Sequence, residues 1–124
     1  MTFDELIRIA RATLNPRKLT ERCEVGGVAA AIESASGKVY TGVCIDTWSS
    51  MGFCAEHAAA AAMITAGENI VVKMVAVNWD GEVMPPCGRC REFIGCLADE
   101  NKDAQVMVHE GVVVTLRELL PYPC

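Results

Sequence analysis

The sequence predicts a layered α/β fold, with a mixed sheet covered by helices on both faces, and three observations carry that prediction. Strand-like and helix-like stretches alternate along most of the chain. The first two strand-like runs are joined by four small residues only, which makes them an antiparallel pair inside an otherwise partly parallel sheet. Apolar residues make up 52% of the 124, enough for one packed core, and a single domain is expected over residues 1–124.

From Thr2 to about Leu14, the apolar residues Phe3, Leu6, Ile7, Ile9, Ala10 and Leu14 fit one helical face. Thr2 with Glu5 has the spacing of a capping box, and Asn15-Pro16 ends the helix, because the residue before proline is driven out of helical conformation. Val25–Glu33 and Lys38–Asp46 read as strands, with Ser34-Ala35-Ser36-Gly37 as the hairpin connection. The alanine-rich stretch Cys54–Ala66 reads as a helix closed by Gly67. A strand over Ile70–Asn78, a helix near Cys87–Asp99, a strand near Ala104–His109 and an apolar run at Val112–Val114 follow. A short helix, Thr115–Leu120, stops at Pro121.

Charge narrows the partners. The net charge of −5, with no basic stripe, argues against a nucleic acid polymer and suits a small, uncharged or cationic ligand. Met1–Glu5 carries no signal-peptide pattern and no segment is long and apolar enough for a membrane span, so a cytoplasmic location without membrane partners is expected. Seven cysteines, an odd number, are poor evidence for a disulfide framework. In a reducing compartment clustered cysteines bind metal, and their spacing becomes the informative quantity.

Two segments carry the chemistry: Cys54-Ala55-Glu56 and Pro86-Cys87-Gly88-Arg89-Cys90. Cys87 and Cys90 have the C-x-x-C spacing of many zinc sites, and at the start of a helix both sulfurs point to one side. A redox dithiol has the same spacing but leaves Cys54 and Glu56 without a task. Both segments stand at expected helix N-termini, where free N–H groups and the positive dipole end stabilise thiolates. Cys54, Cys87 and Cys90 are therefore expected to hold one Zn2+ per chain. Three protein ligands leave the fourth position to solvent, the pattern of catalytic rather than structural zinc. Positions i and i+2 do not face each other on a helix, so Cys54 should stand at its very edge, with Glu56 placed to move protons as the catalytic acid/base.

These two motifs resemble those of the zinc-dependent cytidine deaminase family, in its three-cysteine branch. Within it, Pro86-Cys87-Gly88-Arg89-Cys90-Arg91, Gly37-Lys38-Val39-Tyr40-Thr41-Gly42-Val43 and Leu116-Arg117-Glu118-Leu119-Leu120-Pro121 are most similar to the blasticidin-S deaminases. The resemblance covers roughly Val25 to Pro121. It implies a three-layer α/β/α fold with a mixed five-stranded sheet, a homotetramer with sites near subunit interfaces, and hydrolysis of the exocyclic amine on a cytosine-like ring, releasing ammonia. It also implies that Asp46 accepts a sugar hydroxyl and that the Pro85 carbonyl accepts from the leaving amine. Many relatives carry arginine where His57 stands; His57, Arg89 or Arg91 would offset the thiolate charge by donating to a ligand sulfur. The chain departs from the family at Gly26, where relatives have a phenylalanine, and at Cys44, where they have an asparagine. Both departures point away from ordinary cytidine and toward an analogue with an altered sugar, blasticidin S first.

Other features have simpler readings. Trp48, in the loop before Cys54, is placed to stack on a flat ring or to serve as a core or interface residue, and Trp79 is similarly balanced. Ala58–Ala62 reads as a closely packed helix. Cys23, Cys96 and Cys124 read as ordinary thiols, with Cys44 the one nearest a substrate, and His109 as a strand-end residue. A non-catalytic zinc module is the rival reading, and it needs a fourth protein ligand that the spacing does not supply.

Overall fold

Helix α1 (Phe3–Thr13) starts where its cap dictates. The Thr2 hydroxyl accepts from the Glu5 N–H at 3.2 Å, and the Glu5 carboxylate accepts from the Thr2 N–H at 2.8 Å. The computed structural model describes Met1–Cys124. It continues with β1 (Arg17–Thr20), β2 (Cys23–Ser34), β3 (Val39–Thr47), α2 (Ala55–Thr65), β4 (Val71–Val77), β5 (Val83–Met84), α3 (Gly88–Leu97), β6 (Gln105–His109), β7 (Val112–Thr115) and α4 (Leu116–Leu119). Short 3-10 turns fill Trp48–Ser50 and Asp99–Asp103.

The sheet is mixed and runs β3-β2-β4-β6-β7. Every pairing is antiparallel except β4 with β6. Two short strands extend the five expected: β1 lies beside the first residues of β2, and β5 beside the end of β4. Neither was visible in the sequence. β1 is exposed at all four positions, so it has no burial pattern, and β5 has only two residues.

Strand alternation separates the two faces. Ala29 and Ala31 of β2, Val75 and Val77 of β4 and Met107 of β6 pack on Leu6, Ile7 and Ala10 of α1. Ala30 and Ile32, Met74 and Ala76, and Val106 and Val108 pack on the other side with Ala55, Ala59, Ala60 and Met63 of α2, Ile94 of α3 and Leu116 of α4. Helices therefore cover both faces, with α2 and α3 on the same one.

The seating of α2 is tight. A Cβ at Gly42 of β3 would overlap the Ala59 backbone nitrogen, the Ala58 methyl and the Ala55 carbonyl. Glycine on the strand and alanines on the helix bring the two backbones together. The helix ends in a Schellman motif, with the Gly67 N–H bonded to the Ile64 carbonyl (2.9 Å), the Glu68 N–H bonded to the Met63 carbonyl (3.1 Å), and Gly67 at φ +91°. No helix is long and apolar enough to cross a membrane.

Asn101, fully buried in the second 3-10 turn, ties α3 to β4. Its carbonyl accepts from the Val71 N–H (2.8 Å), and its amide donates to the Asn69 (3.1 Å) and Ile94 (2.9 Å) carbonyls. Asn101→Ala leaves these backbone groups unpaired in the interior and is expected to cost about 2–4 kcal/mol. Urea denaturation checks this, and a loss within about 0.5 kcal/mol of zero, the range of ordinary surface substitutions, would contradict it.

Candidate active site

Cys54 immediately precedes α2, and Cys87 immediately precedes α3. Both are extended (φ −75°, ψ 160° and φ −68°, ψ 167°), and neither helix start has a capping side chain. The first-turn N–H groups are thus free to stabilise negative charge at these ends. Cys54 is held by the segment before it. Phe53 pairs with Ile45 of β3 through two backbone hydrogen bonds, of 2.9 and 3.0 Å. Gly52 lies so close to β3 that a Cβ would overlap the Ile45 carbonyl.

The two helix starts bring three sulfurs together. Cys54 Sγ is 3.4 Å from Cys87 Sγ, which is 3.5 Å from Cys90 Sγ. Three thiolates on one zinc at about 2.3 Å stand roughly 3.8 Å apart in tetrahedral geometry, so the donor set fits this ion with little adjustment. His57 Nδ1 lies 3.3 Å from Cys90 Sγ, and the His57 ring stacks on Phe93 with centroids 4.1 Å apart. The Cys54, His57 and Cys90 donor atoms all lie within 4.8 Å of one another. The sequence spacing offered no fourth protein donor; the fold supplies one in His57.

Burial sets the electrostatics. It raises the Cys54 and Cys90 thiols, and for Cys90 the Glu56 charge and the neighbouring sulfurs add to the rise. At Cys87 burial pulls upward too, but the Cys90 N–H and the two other sulfurs outweigh it, and this thiol is lowered. Burial likewise lifts the carboxyl of Glu56, which is only 4% exposed, above the usual carboxylate range; its own backbone N–H and the Cys90 sulfur pull partly back. His57 is lowered by burial and by nearby Arg89. Only a bound cation would hold all three sulfurs as thiolates here.

A cleft of about 690 Å³ opens above this cluster. Cys54, Glu56, Cys87, Asp46, Pro85, Arg89 and Arg91 line it, while Cys90 and His57 stand behind the wall. Cys44 also lines the cleft; its sulfur accepts from the Val28 N–H at 3.3 Å and lies 3.6 Å from an Asp46 carboxylate oxygen.

Three expectations need correction. Trp48 does not line the cleft of the single chain: its backbone N–H donates to the Arg22 carbonyl at 3.2 Å and its side chain is 61% exposed, which removes the core reading and leaves the interface one. Arg89 and Arg91 do not bond a sulfur. Arg89 donates to the Gly52 carbonyl (3.3 Å), and Arg91 to the Pro86 (2.8 Å) and Leu119 (3.3 Å) carbonyls. Of the three candidates His57 alone reaches a sulfur of the cluster. Gly26 does not line the cleft either. It sits at φ +79° where β2 meets Asn15, whose carbonyl a Cβ would overlap, and Val28 forms the wall instead.

Sequence reasoning missed Val28, Phe53 and Met84 as cleft residues. Their apolar side chains look like core; Val28 lies in the irregular part of β2, Met84 in the short β5 and Phe53 in the segment bridged to Ile45. Gly52 carried a usable signal, as a glycine one residue before a strand-like contact and two before the motif. Gly52→Ala is expected to push Phe53-Cys54 off β3 and cost about 1–3 kcal/mol. Gly88→Ala, with nothing within 4 Å of the added methyl, is expected to stay within about 0.5 kcal/mol of the parent. Equal thermal melts for the two variants would contradict this seating.

No family model matches the chain. Over 69 residues it is 33% identical to the cytidine deaminase of Mycobacterium tuberculosis, in strains CDC 1551 / Oshkosh and ATCC 25618 / H37Rv alike. That match takes in 55% of this chain and spans half the length of those curated relatives. Among solved structures, the cytidine deaminase of Mycobacterium leprae is similar over 98% of this chain and 99% of its own, with a TM-score of 0.82 and 25% identity. The M. tuberculosis cytidine deaminase structure matches over 99% and 97%, with a TM-score of 0.83 and 25% identity. The mixed α/β sheet is therefore the one seen in cytidine deaminase structures, and the relatives together with the Cys54, His57, Cys90 cluster fit that family.

Proposed function

We propose that this chain is a zinc-dependent deaminase that hydrolyses the exocyclic amine of a cytosine-like ring, in cytidine or a nucleoside analogue, and releases ammonia. The observation that carries the reading is Glu56, a carboxyl buried on the floor of an open cleft beside three converging sulfurs. Cys54, Cys87 and Cys90 would hold the zinc, and when bound it supplies a Lewis acid that activates water at neutral pH.

The chain's own residues do the rest. Glu56 takes a proton from the attacking water and passes it to the ring nitrogen, then carries the remaining proton of the added hydroxyl to the amine, which departs as ammonia as the ring carbonyl forms. Its raised carboxyl suits both roles, because it holds a proton more readily than an exposed glutamate. The Pro85 carbonyl accepts from the leaving amine, and Asp46 accepts a hydroxyl on the sugar or its replacement. Cys44, set in the cleft wall where relatives have asparagine, is only a weak donor and a weak acceptor, and both capacities are turned to the protein, to the Asp46 carboxylate and from the Val28 N–H. That favours an analogue such as blasticidin S over cytidine.

The second reading is a closed structural site in which His57 becomes the fourth ligand, favoured by the donor cluster of Cys54, His57 and Cys90. It leaves the burial of Glu56 unexplained.

A homotetramer is what the family resemblance implies, and the exposed Trp48 (61%), Met51 (74%) and Trp79 (66%) are apolar surface that such an assembly could cover. Sedimentation equilibrium at micromolar concentration is expected to return four chains per particle, and a monomer would contradict it. The catalytic claim has its own test. The protein should contain one zinc per chain, and ammonia release should be found within a panel of cytosine, cytidine, deoxycytidine and blasticidin S. Glu56→Gln should keep the zinc and lose turnover by on the order of 10²–10⁴. Parent-like turnover in that variant would remove Glu56 from the mechanism.

A further inference from the structure

Gly42, Cys44 and Asp46 alternate onto one face of β3, the face on which α2 sits and the cleft opens. Cys44 thus stands between the seat of the helix and a carboxylate in the cleft. It is buried, at 7% exposure, and its sulfur has two partners. The Val28 N–H donates to it at 3.3 Å, and its own thiol donates to an Asp46 carboxylate oxygen at 3.6 Å. The three sulfurs of the cluster bond one another and not this one, so the zinc site does not account for it.

Both contacts answer a local need. The pairing of β2 with β3 shifts register between Val25 and Ala29, and Val28 falls in that gap. The Cys44 sulfur serves as acceptor for its N–H. Asp46 is exposed and forms no ion pair. Glu24 stands opposite it in the strand register, and like charges so placed repel. The Cys44 thiol is the one side-chain donor on this carboxylate. Burial pushes the thiol up, the Val28 and Gly27 N–H groups pull partly back, and the Asp46 charge adds to the rise. Cys44 therefore keeps its proton at neutral pH and has a hydrogen to donate.

We propose that Cys44 is a positioning residue: it holds one oxygen of Asp46 in place, so that the other is presented to a hydrogen-bond donor on the bound ligand. The inference rests on the deaminase reading, which makes Asp46 the acceptor for that donor. It gives the residue that replaces the asparagine of relatives a task of its own, exerted through Asp46 rather than on the ligand. A thiol is a weak donor, so it orients the carboxylate and withdraws little of its charge. An amide in its place would donate more strongly and compete with the ligand for the same carboxylate. Because the sulfur also fixes Val28, one side chain sets two residues of the cleft wall.

The test is a double-mutant cycle on the whole protein with its zinc, read by calorimetric titration with cytidine, deoxycytidine and blasticidin S. For the probe that binds the parent most tightly, Cys44→Ala is expected to weaken binding about three- to tenfold. Cys44→Ser should recover most of that loss, since a hydroxyl donates and accepts from the same place. In an Asp46→Ala background Cys44→Ala should have no further effect, because a residue acting through Asp46 has nothing left to orient. The S–H stretching band of Cys44, isolated by subtracting the infrared spectrum of Cys44→Ser, should shift in Asp46→Ala. Additive losses in the double variant overturn the inference, as does a band that ignores Asp46→Ala or failure of every probe to bind. Ammonia release from the same probes is read separately. A coupled cycle without any turnover would therefore sink the deaminase reading while leaving the pairing of Cys44 with Asp46 standing.

Discussion

At Gly42 the backbone of β3 and the first turns of α2 meet with no side chain between them. The geometry of the site follows from that contact. Seated this closely, α2 puts Cys54 at its leading edge and Glu56 one turn-fraction further in, beneath the cleft. The same strand, three residues on, holds Phe53 through Ile45, and Gly52 lets the connecting segment lie flat against it. β3 therefore positions one half of the sulfur cluster from both sides. The other half comes from α3, which Asn101 anchors to β4 on the far side of β2. A cluster with sulfurs 3.4 and 3.5 Å apart needs two rigid supports, and backbone packing supplies both.

Locally, the site violates rules that the rest of the chain obeys. A buried glutamate, two thiols raised by burial and a histidine lowered by it are poor components for stability. Elsewhere the interior is mostly alanine, valine, leucine, isoleucine and methionine, and Asn101 has its hydrogen bonds satisfied, with one oxygen of Glu33 the buried polar atom left without a partner away from the cleft. Such a concentration of unfavourable groups in one cleft is where a functional site is expected, since a cation reverses the cost of bringing thiolates together.

Much of this was legible in the sequence because it is written in local spacing. The capping box of Thr2 and Glu5, the alternation in β2 and the glycine after α2 each depend on residues within a few positions of one another. Cys54-Ala55-Glu56 and the Cys87, Cys90 pair are local too, which is why the edge position of Cys54 could be deduced. What escaped depends on distant approach. Gly26 looked like a lost side chain in a pocket, but it is the point where β2 meets Asn15. Arg89 and Arg91 looked like partners for sulfur, but carbonyls on other segments were nearer. Trp48 has the chemistry to stack on a ring, yet its turn leaves it in solvent. His57 was read as one of three equals, and its contact with the Cys90 sulfur, with the ring held by the stack on Phe93, singles it out.

The remaining tension is between an open zinc site with three sulfurs and a closed one that recruits His57. Both fit a cluster whose donor atoms lie this near together. They differ in whether a position is left for chemistry. Zinc-edge X-ray absorption on the purified protein distinguishes them directly. The account predicts three sulfurs at about 2.3 Å and one light atom without the outer-shell scattering of an imidazole ring. An imidazole signature on a four-coordinate zinc would contradict it, and would make the cluster a structural staple beneath an idle cleft.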